Sequence, residues 1–309
     1  LRVAITGGTG FVGAALITRL ADEGFEISAL ARKPESFNAP ESVRIVPGSL
    51  ENESALADLA AGADFFFNLA GVTHARGAGE YRKANVEGAV RAAQAAAATG
   101  ARFTHISSMS ARAPDISPYA SSKHESESAI AAASGDNPWL ALRLPAIYGP
   151  GDFVTLPYFK LVKSGLALEP RTPTPARASI LYVEDAAIAI IEAAKTAPAG
   201  GVYEVGDERP GGHAWSEIGA ILGEALGKRP LHIRVPRPVI AAYHQIVRTV
   251  EGALGRSPSV REGQINEFFH PDWVARQDLL SEATAWRPKT SLKEGFTKTA
   301  LWYQKNGLL

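Results

Sequence analysis

The chain opens on Leu1-Arg-Val-Ala-Ile5-Thr6-Gly7-Gly8-Thr9-Gly10-Phe11-Val12-Gly13. Leu1–Ile5 is a short apolar run. Glycines follow at once, and Phe11–Leu20 then carries apolar residues at helical spacing. These read as strand, turn and helix. Gly7 permits a tight turn with unusual backbone angles. Gly10 lets the backbone approach a pyrophosphate, and Gly13 lets the helix pack on the strand. A helix starting there offers unpaired N–H groups and partial positive charge to phosphates. Glycines alone are a weak signal; a strand before them and a helix after them is the context a dinucleotide needs. The alternative is a plain tight turn.

Outward from this turn the pattern repeats. Glu26–Leu30, Val43–Pro47, Asp64–Leu69, Arg102–Ser107 and Trp139–Leu144 read as further strands. Tyr81–Ala98, rich in alanine and closed by Gly100, and Pro118–Ala133 read as helices. Strands alternating with helices predict an α/β fold, a doubly wound parallel sheet of the Rossmann type. Ligands on such sheets sit beyond the carboxyl ends of the strands. Prolines crowd in after Tyr148-Gly-Pro-Gly151. Residues 1–149 are therefore expected to form the dinucleotide-binding domain. Residues 150–309 are expected to form mostly a smaller C-terminal substrate lobe, with some segments returning to the main sheet. In that half, Ile180–Val183, Gly201–Val205 and Leu231–Val235 read as strands. Glu184–Ala194, Trp215–Leu226, Pro236–Leu254 and Ser291–Lys305 read as helices.

The bulk numbers exclude several classes. The 309 residues are 46% apolar, ample for a large core. Lys+Arg and Asp+Glu both number 32, so no global field favours nucleic acid or an anionic membrane. There is no cysteine, hence no disulfide, thiolate zinc site or Cys nucleophile. The histidines lack metal-ligand spacing, and no metal is expected. No apolar run approaches the roughly 18 residues of a membrane span. With no basic-then-apolar leader before Leu1, a cytoplasmic protein is expected, without nucleic-acid or membrane partners. Its partners would be a small-molecule substrate and, at most, a second copy in a homodimer.

The end of the second strand bears on the cofactor. Sites for NAD usually place Asp or Glu there for the ribose hydroxyls, whereas Arg accommodates a 2′-phosphate. The chain reads Ser28-Ala-Leu-Ala-Arg32-Lys33, with no acid before Glu35. Arg32 and Lys33 thus favour NADP(H), with NAD(H) the alternative. Two solvated cations on a loop are the bland reading.

Tyr119-Ala-Ser-Ser-Lys123 is the chemical signal. A free phenol, with a pKa near 10, is a poor proton donor at neutral pH. A cation four residues later lies on the same helix face and favours the phenolate. Ser107 and Ser108 end the fifth strand, where a hydroxyl could hold a carbonyl oxygen during hydride transfer.

With glycine motif and Tyr–Lys pair in this order, the chain resembles the extended, epimerase/dehydratase-like branch of the short-chain dehydrogenase/reductases. The resemblance implies catalytic roles for Ser108, Tyr119 and Lys123. It implies cofactor contacts from Gly7, Thr9, Gly10, Phe11 and Val12, from Ser49 and Leu50, and from Leu69, Ala70 and Gly71 in Asn68-Leu-Ala-Gly71. Asn85, which matches a helix Asn that is typically structural, is counted among the cofactor contacts, as are Tyr119, Lys123 and Pro145, the last expected near the nicotinamide. His74, Ser108, Tyr148 and Arg177 are candidates for substrate contact. Sugar-nucleotide members often carry Arg where this chain has Ala178, and Arg177 is displaced by one. The expected activity is therefore NADP(H)-dependent interconversion of a carbonyl and an alcohol. A nucleotide-sugar epimerase or dehydratase is the alternative, and a non-catalytic cofactor-binding subunit a third. A basic stretch over 228–261 reads either as an anion socket or as a solvated or partner-facing surface.

Overall fold

The computed structural model describes residues 1–254 and 263–309. Seven parallel strands form its central sheet in the order Gly201–Glu204, Trp139–Leu144, Arg102–Ser108, Phe65–Asn68, Arg2–Thr6, Glu26–Ala31, Val43–Pro47. The fold is mixed α/β and Rossmann-like, as the alternation predicts. Arg2–Thr6 lies between the second and fourth strands, with Ile5 level with Ala29 on one side and Phe67 on the other. Strand order reverses there, and the crevice above such a reversal is where ligands bind.

Both faces are covered, so the strands are near-continuously apolar. Helices Phe11–Asp22 and Val183–Thr196 pack together on one face, bringing Leu16, Ile17, Leu20 and Ile190 onto Val3, Ile5 and Leu142. On the other face Leu56 and Leu59 of helix Glu53–Ala60 and Ala89, Ala92, Ala93 and Ala96 of helix Gly88–Thr99 meet Phe66 and Phe103. Alanine lets that helix sit close to the large rings. A third cluster, with Tyr148, Phe159, Tyr182, Phe296 and Tyr303 at its centre, is the core of the C-terminal lobe. Several segments from beyond residue 150 belong to the main body, among them strand Gly201–Glu204, helix Val183–Thr196 and the stretch that carries buried Leu280 and Trp286.

Several features differ from the sequence reading, and helix Leu156–Lys163 and strand Leu166–Pro170 were not read from it at all. Helix Glu53–Ala60 carries no long apolar period; Asn52 starts it, its side chain accepting from the Ala55 N–H at 3.1 Å. The long alanine-rich helix is not one α-helix. A short turn, Ala78–Tyr81, leads into a wider π-helical turn over Arg82–Glu87, and α-geometry resumes at Gly88. Asn85 sits in the widened turn and is tied across to Val72, which supplies a local cause. Asp207, Glu208 and His213, unrelated by spacing, converge in the lobe, with His213 Nε2 3.7 and 3.5 Å from the two carboxylates. Those carboxylates also accept the Ile180 and Leu292 N–H groups, at 2.9 and 2.8 Å.

Candidate active site

A groove of about 290 Å³ runs over the strand-order reversal. Thr6, Gly7, Thr9 and Gly10 line it from the first turn, Leu30, Ala31 and Arg32 from the second strand, and Gly48, Ser49, Leu50 and Glu51 from the third. Leu69, Ala70, Gly71 and Val72 follow the fourth strand, and Lys83, Ala84 and Arg91 close the side.

Gly7 and Gly13 admit no side chain. Gly7 has φ +77°, and a Cβ there would stand 2.5 Å from the Ala70 nitrogen. At Gly13 a Cβ would stand 2.2 Å from the Gly7 carbonyl oxygen. Gly13 therefore packs the helix on the glycine turn itself, rather than on the strand as its spacing suggested. Gly10 is the N-cap of helix Phe11–Asp22, with no side-chain cap and no acid in the first turn. The first N–H groups of that helix have no intrahelical acceptor and point to where an anion belongs. The groove's charged residues are Arg32, Lys83, Arg91 and Glu51. Glu51 is paired with Lys83 at 3.0 Å, which holds its carboxyl below the usual range. Positive charge is in excess. A glycine cradle, an uncapped helix start and surplus cations fit a dinucleotide diphosphate.

Lys123 lies at one end of this groove. A Cβ placed on Gly71 would be 3.5 Å from Lys123 Nζ and 2.9 Å from Asn85 Oδ1. Helix Pro118–Ser134 begins at Ser117, whose hydroxyl accepts from the Ala120 N–H at 3.0 Å. Tyr119 is in its first turn, its ring 6.0 Å from that of buried Tyr81. Tyr81 is itself anchored by its hydroxyl to the Thr73 carbonyl at 3.1 Å. Lys123 is 6% exposed and donates to the Ile106 carbonyl at 2.8 Å. Burial pulls its pKa down to about 8, against the opposing pull of Glu127.

The two serines at the end of the fifth strand separate cleanly. Ser107 is buried and donates to Glu127 Oε1 at 2.6 Å. Arg143 grips the same carboxylate through Nε at 2.9 Å and Nη2 at 2.7 Å. Ser108 points elsewhere. Its oxygen accepts from the Ser110 hydroxyl at 2.9 Å and the Ser110 N–H at 3.2 Å. With both lone pairs engaged, the Ser108 proton is directed to a further acceptor.

Behind the site runs a buried chain that spacing could not reveal. Thr6 Oγ1 donates to Asn68 Oδ1 at 2.6 Å, and Asn68 Nδ2 reaches His105 Nδ1 at 3.0 Å. His105 Nε2 lies 3.0 Å from Ser126 Oγ, which donates to the Lys123 carbonyl at 2.7 Å. Each link has a donor only if His105 is neutral with its proton on Nε2. Burial, then the nearby Lys123 charge, hold its pKa well below the ordinary value. The chain ties the glycine turn to the helix that carries Tyr119.

Other sequence candidates fall elsewhere. Lys33 precedes the turn Pro34–Ser36 and does not line the groove. Phe11 and Val12 open the helix, with Val12 packed on the core. Asn85 is structural: it accepts from the Val72 N–H at 2.7 Å and donates to the Val72 carbonyl and Ser122. Pro145 is buried between two strands. His74 is exposed beside Thr73, 3.1 Å from its hydroxyl. Tyr148 packs in the lobe core against Tyr182 and Phe296, with its ionisation strongly suppressed by burial, so it is not a lining residue of the groove. Arg177 is occupied by the Gly211 and Gly212 carbonyls at 2.8 and 2.6 Å. Thr6, Leu30, Ala31, Gly48, Glu51, Val72, Lys83, Ala84 and Arg91 line the groove but were not singled out. For those at or just past the strand ends that position was the available signal; Lys83, Ala84 and Arg91 lie in helical segments and carried none.

A model of the NAD dependent epimerase/dehydratase family matches residues 3–206. The chain belongs to that family. It is accordingly an NAD(P)-dependent oxidoreductase or epimerase. The chain is 38% identical to a ceramide reductase of Caulobacter vibrioides over 99% of this chain and 96% of that one. A 3-beta-hydroxysteroid dehydrogenase of Mycolicibacterium neoaurum is 35% identical, over 35% of this chain and 32% of that one. Among solved structures, UDP-glucose 4-epimerase of Thermotoga maritima with UDP-glucose superposes with a TM-score of 0.75 at 18% identity, covering 99% of both chains. UDP-glucose 4-epimerase of Thermus thermophilus with NAD gives 0.73 at 20% identity, covering 98% of this chain and 99% of that one. At such identities the likeness is one of fold. No helix among the described residues is long and apolar enough to cross a membrane.

Proposed function

We propose that the protein is an NADP(H)-dependent reductase that converts a carbonyl on an apolar, ceramide-like lipid to an alcohol. The observation that carries this is the buried Lys123 ammonium beside the groove residue Gly71, in a chain 38% identical to a ceramide reductase along nearly its whole length. When bound, the nicotinamide supplies the hydride. The Ser108 hydroxyl donates to the substrate oxygen as negative charge builds on it. Tyr119 gives that oxygen a proton. Lys123 spends one of its three donors on Ile106 and keeps two for the ribose and the electrostatics of the phenol. Arg32 receives the 2′-phosphate.

The second reading is a nucleotide-sugar epimerase, which the shared fold accommodates. Against it, Arg177 is held by two backbone carbonyls. Loss of NADPH absorbance is followed with a ceramide-like ketone and, separately, with UDP-glucose. The expected result is NADPH consumption with the lipid only, and a fall of about 10²–10⁴ in turnover in Tyr119→Phe with cofactor affinity within a few fold. Micromolar UDP binding with epimer formation and no net NADPH consumption would replace the reductase reading.

A further inference from the structure

The second half of the chain carries a helix that the catalytic reading does not use. Arg237–Ala253 has no fully buried residue. Its apolar side chains nevertheless form a stripe: Val239, Tyr243, Ile246, Val250 and, just past the end, Leu254. Each keeps more than half of its surface in solvent. Spacings of three and four place them on one side of the helix. With Leu231 and Ile233 of the adjoining strand, they make seven of the eleven large apolar side chains left exposed among the described residues. An isolated exposed leucine needs no explanation, but a concentration of this kind marks a contact surface.

Charge identifies what it contacts. The whole chain is neutral, with 32 cations against 32 anions. Residues 228–254 hold Lys228, Arg229, Arg234, Arg237 and Arg248 against the single acid Glu251. Arg256 and Arg261, which continue the basic stretch, lie outside the described residues. A second copy of the chain is a poor occupant, because a two-fold contact would set each basic stretch against its own image. An anionic lipid surface satisfies both features. The helix has 17 residues, too short to span a bilayer but long enough to lie in its interface. An apolar face, an arginine-bearing polar face and an interfacial tyrosine describe a helix of that type.

The helix is also wired to the site. Arg237 Nη2 donates to Asn266 Oδ1, and Asn266 Nδ2 donates to the Ile116 carbonyl at 2.7 Å. The next residue, Ser117, caps the helix that carries Tyr119 and donates to Glu267 at 2.6 Å. We infer that Arg237–Ala253 docks the protein on anionic membrane surfaces, with the catalytic helix held close to the docked face.

This inference stands on the helix and its charge rather than on the lipid substrate of the proposed function. The test therefore uses vesicles without substrate and measures no turnover. Full-length protein is floated with vesicles of phosphatidylcholine alone and of phosphatidylcholine with phosphatidylglycerol. Wild type should float with the anionic vesicles. Ile246→Asp should weaken that binding at least tenfold, and Arg248→Glu should weaken it several fold, while both variants keep wild-type cofactor affinity and melting behaviour. Wild type that stays behind with both vesicle types would overturn the inference. So would an Ile246→Asp variant that floats normally but changes from dimer to monomer by light scattering, since the stripe would then belong to a second copy.

Discussion

The Lys123 ammonium donates to the Ile106 carbonyl at 2.8 Å from a position almost wholly removed from water. That single bond does not repay the loss of hydration, and the pKa falls to about 8 from an ordinary 10.5. The sign follows by linkage. Between pH 8 and 10.5 the unfolded chain binds a proton that the folded chain has released, so this group's contribution to stability rises with pH across that window. Below pH 8 the charged group is a net penalty on folding. Lys123→Met removes the charge but strands the carbonyl. Its stability relative to wild type should be greatest at pH 7 and should decline as pH rises from 8 to 10, while turnover and cofactor affinity both fall. Denaturant melts of both proteins at the three pH values check this; a difference independent of pH would refute it.

Ser107 and Ser108 should behave oppositely. Ser107→Ala removes a bond to the buried Glu127 carboxylate and should cost about 2 kcal/mol, with turnover per folded molecule nearly kept. Ser108→Ala should leave the melting curve almost unchanged and lower turnover by about 10²–10³. If Ser108→Ala stays fully active, the hydroxyl at the strand end has no part in the reaction.

Gly13→Val should abolish cofactor binding. The added Cβ would lie 2.2 Å from the Gly7 oxygen, which is backbone and cannot swing aside. The helix must shift, carrying its N–H groups off the diphosphate position, and the fold should lose about 1–3 kcal/mol. Fluorescence titration with NADPH and NADH reads the result; unchanged affinity would place the dinucleotide elsewhere.

Arg32 is exposed and lines the groove beside Ala31 and Gly48. Wild type should bind NADPH at least tenfold more tightly than NADH, about 1.4 kcal/mol. Arg32→Ala should remove that preference without altering NADH affinity. A wild type that binds both equally would assign the protein to NAD.

The central sheet was legible because its strands are short apolar runs, several of them closed by glycine, and such local signals survive without tertiary context. Boundaries moved by a residue or two, as at Asp64–Leu69, where the strand is Phe65–Asn68. Gly7 and Gly10 were legible as groove residues for the same reason, both sitting in a motif a few residues long. Ser107–Glu127, twenty residues apart, and Thr6–Asn68–His105–Ser126 were not, because sequence pattern does not report which side chains a parallel sheet sets side by side. Tyr148 and Arg177 were misplaced by analogy of position: an aromatic beside the site proved to be lobe core, and an arginine near the expected place proved to be engaged.

Strand Gly201–Glu204 reaches the central sheet from beyond residue 150 and pairs along Leu140–Arg143. A gene cut at the apparent boundary near residue 149 would therefore not yield a tidy nucleotide-binding fragment. It would leave Trp139–Leu144 as a bare edge, offering unpaired backbone groups to any neighbouring chain. Removal of helix Val183–Thr196 would at the same time strip the cover from Leu142 and Ile5. Such a fragment should aggregate on expression. Anyone dividing this protein for study should keep residues 180–205 with the first half.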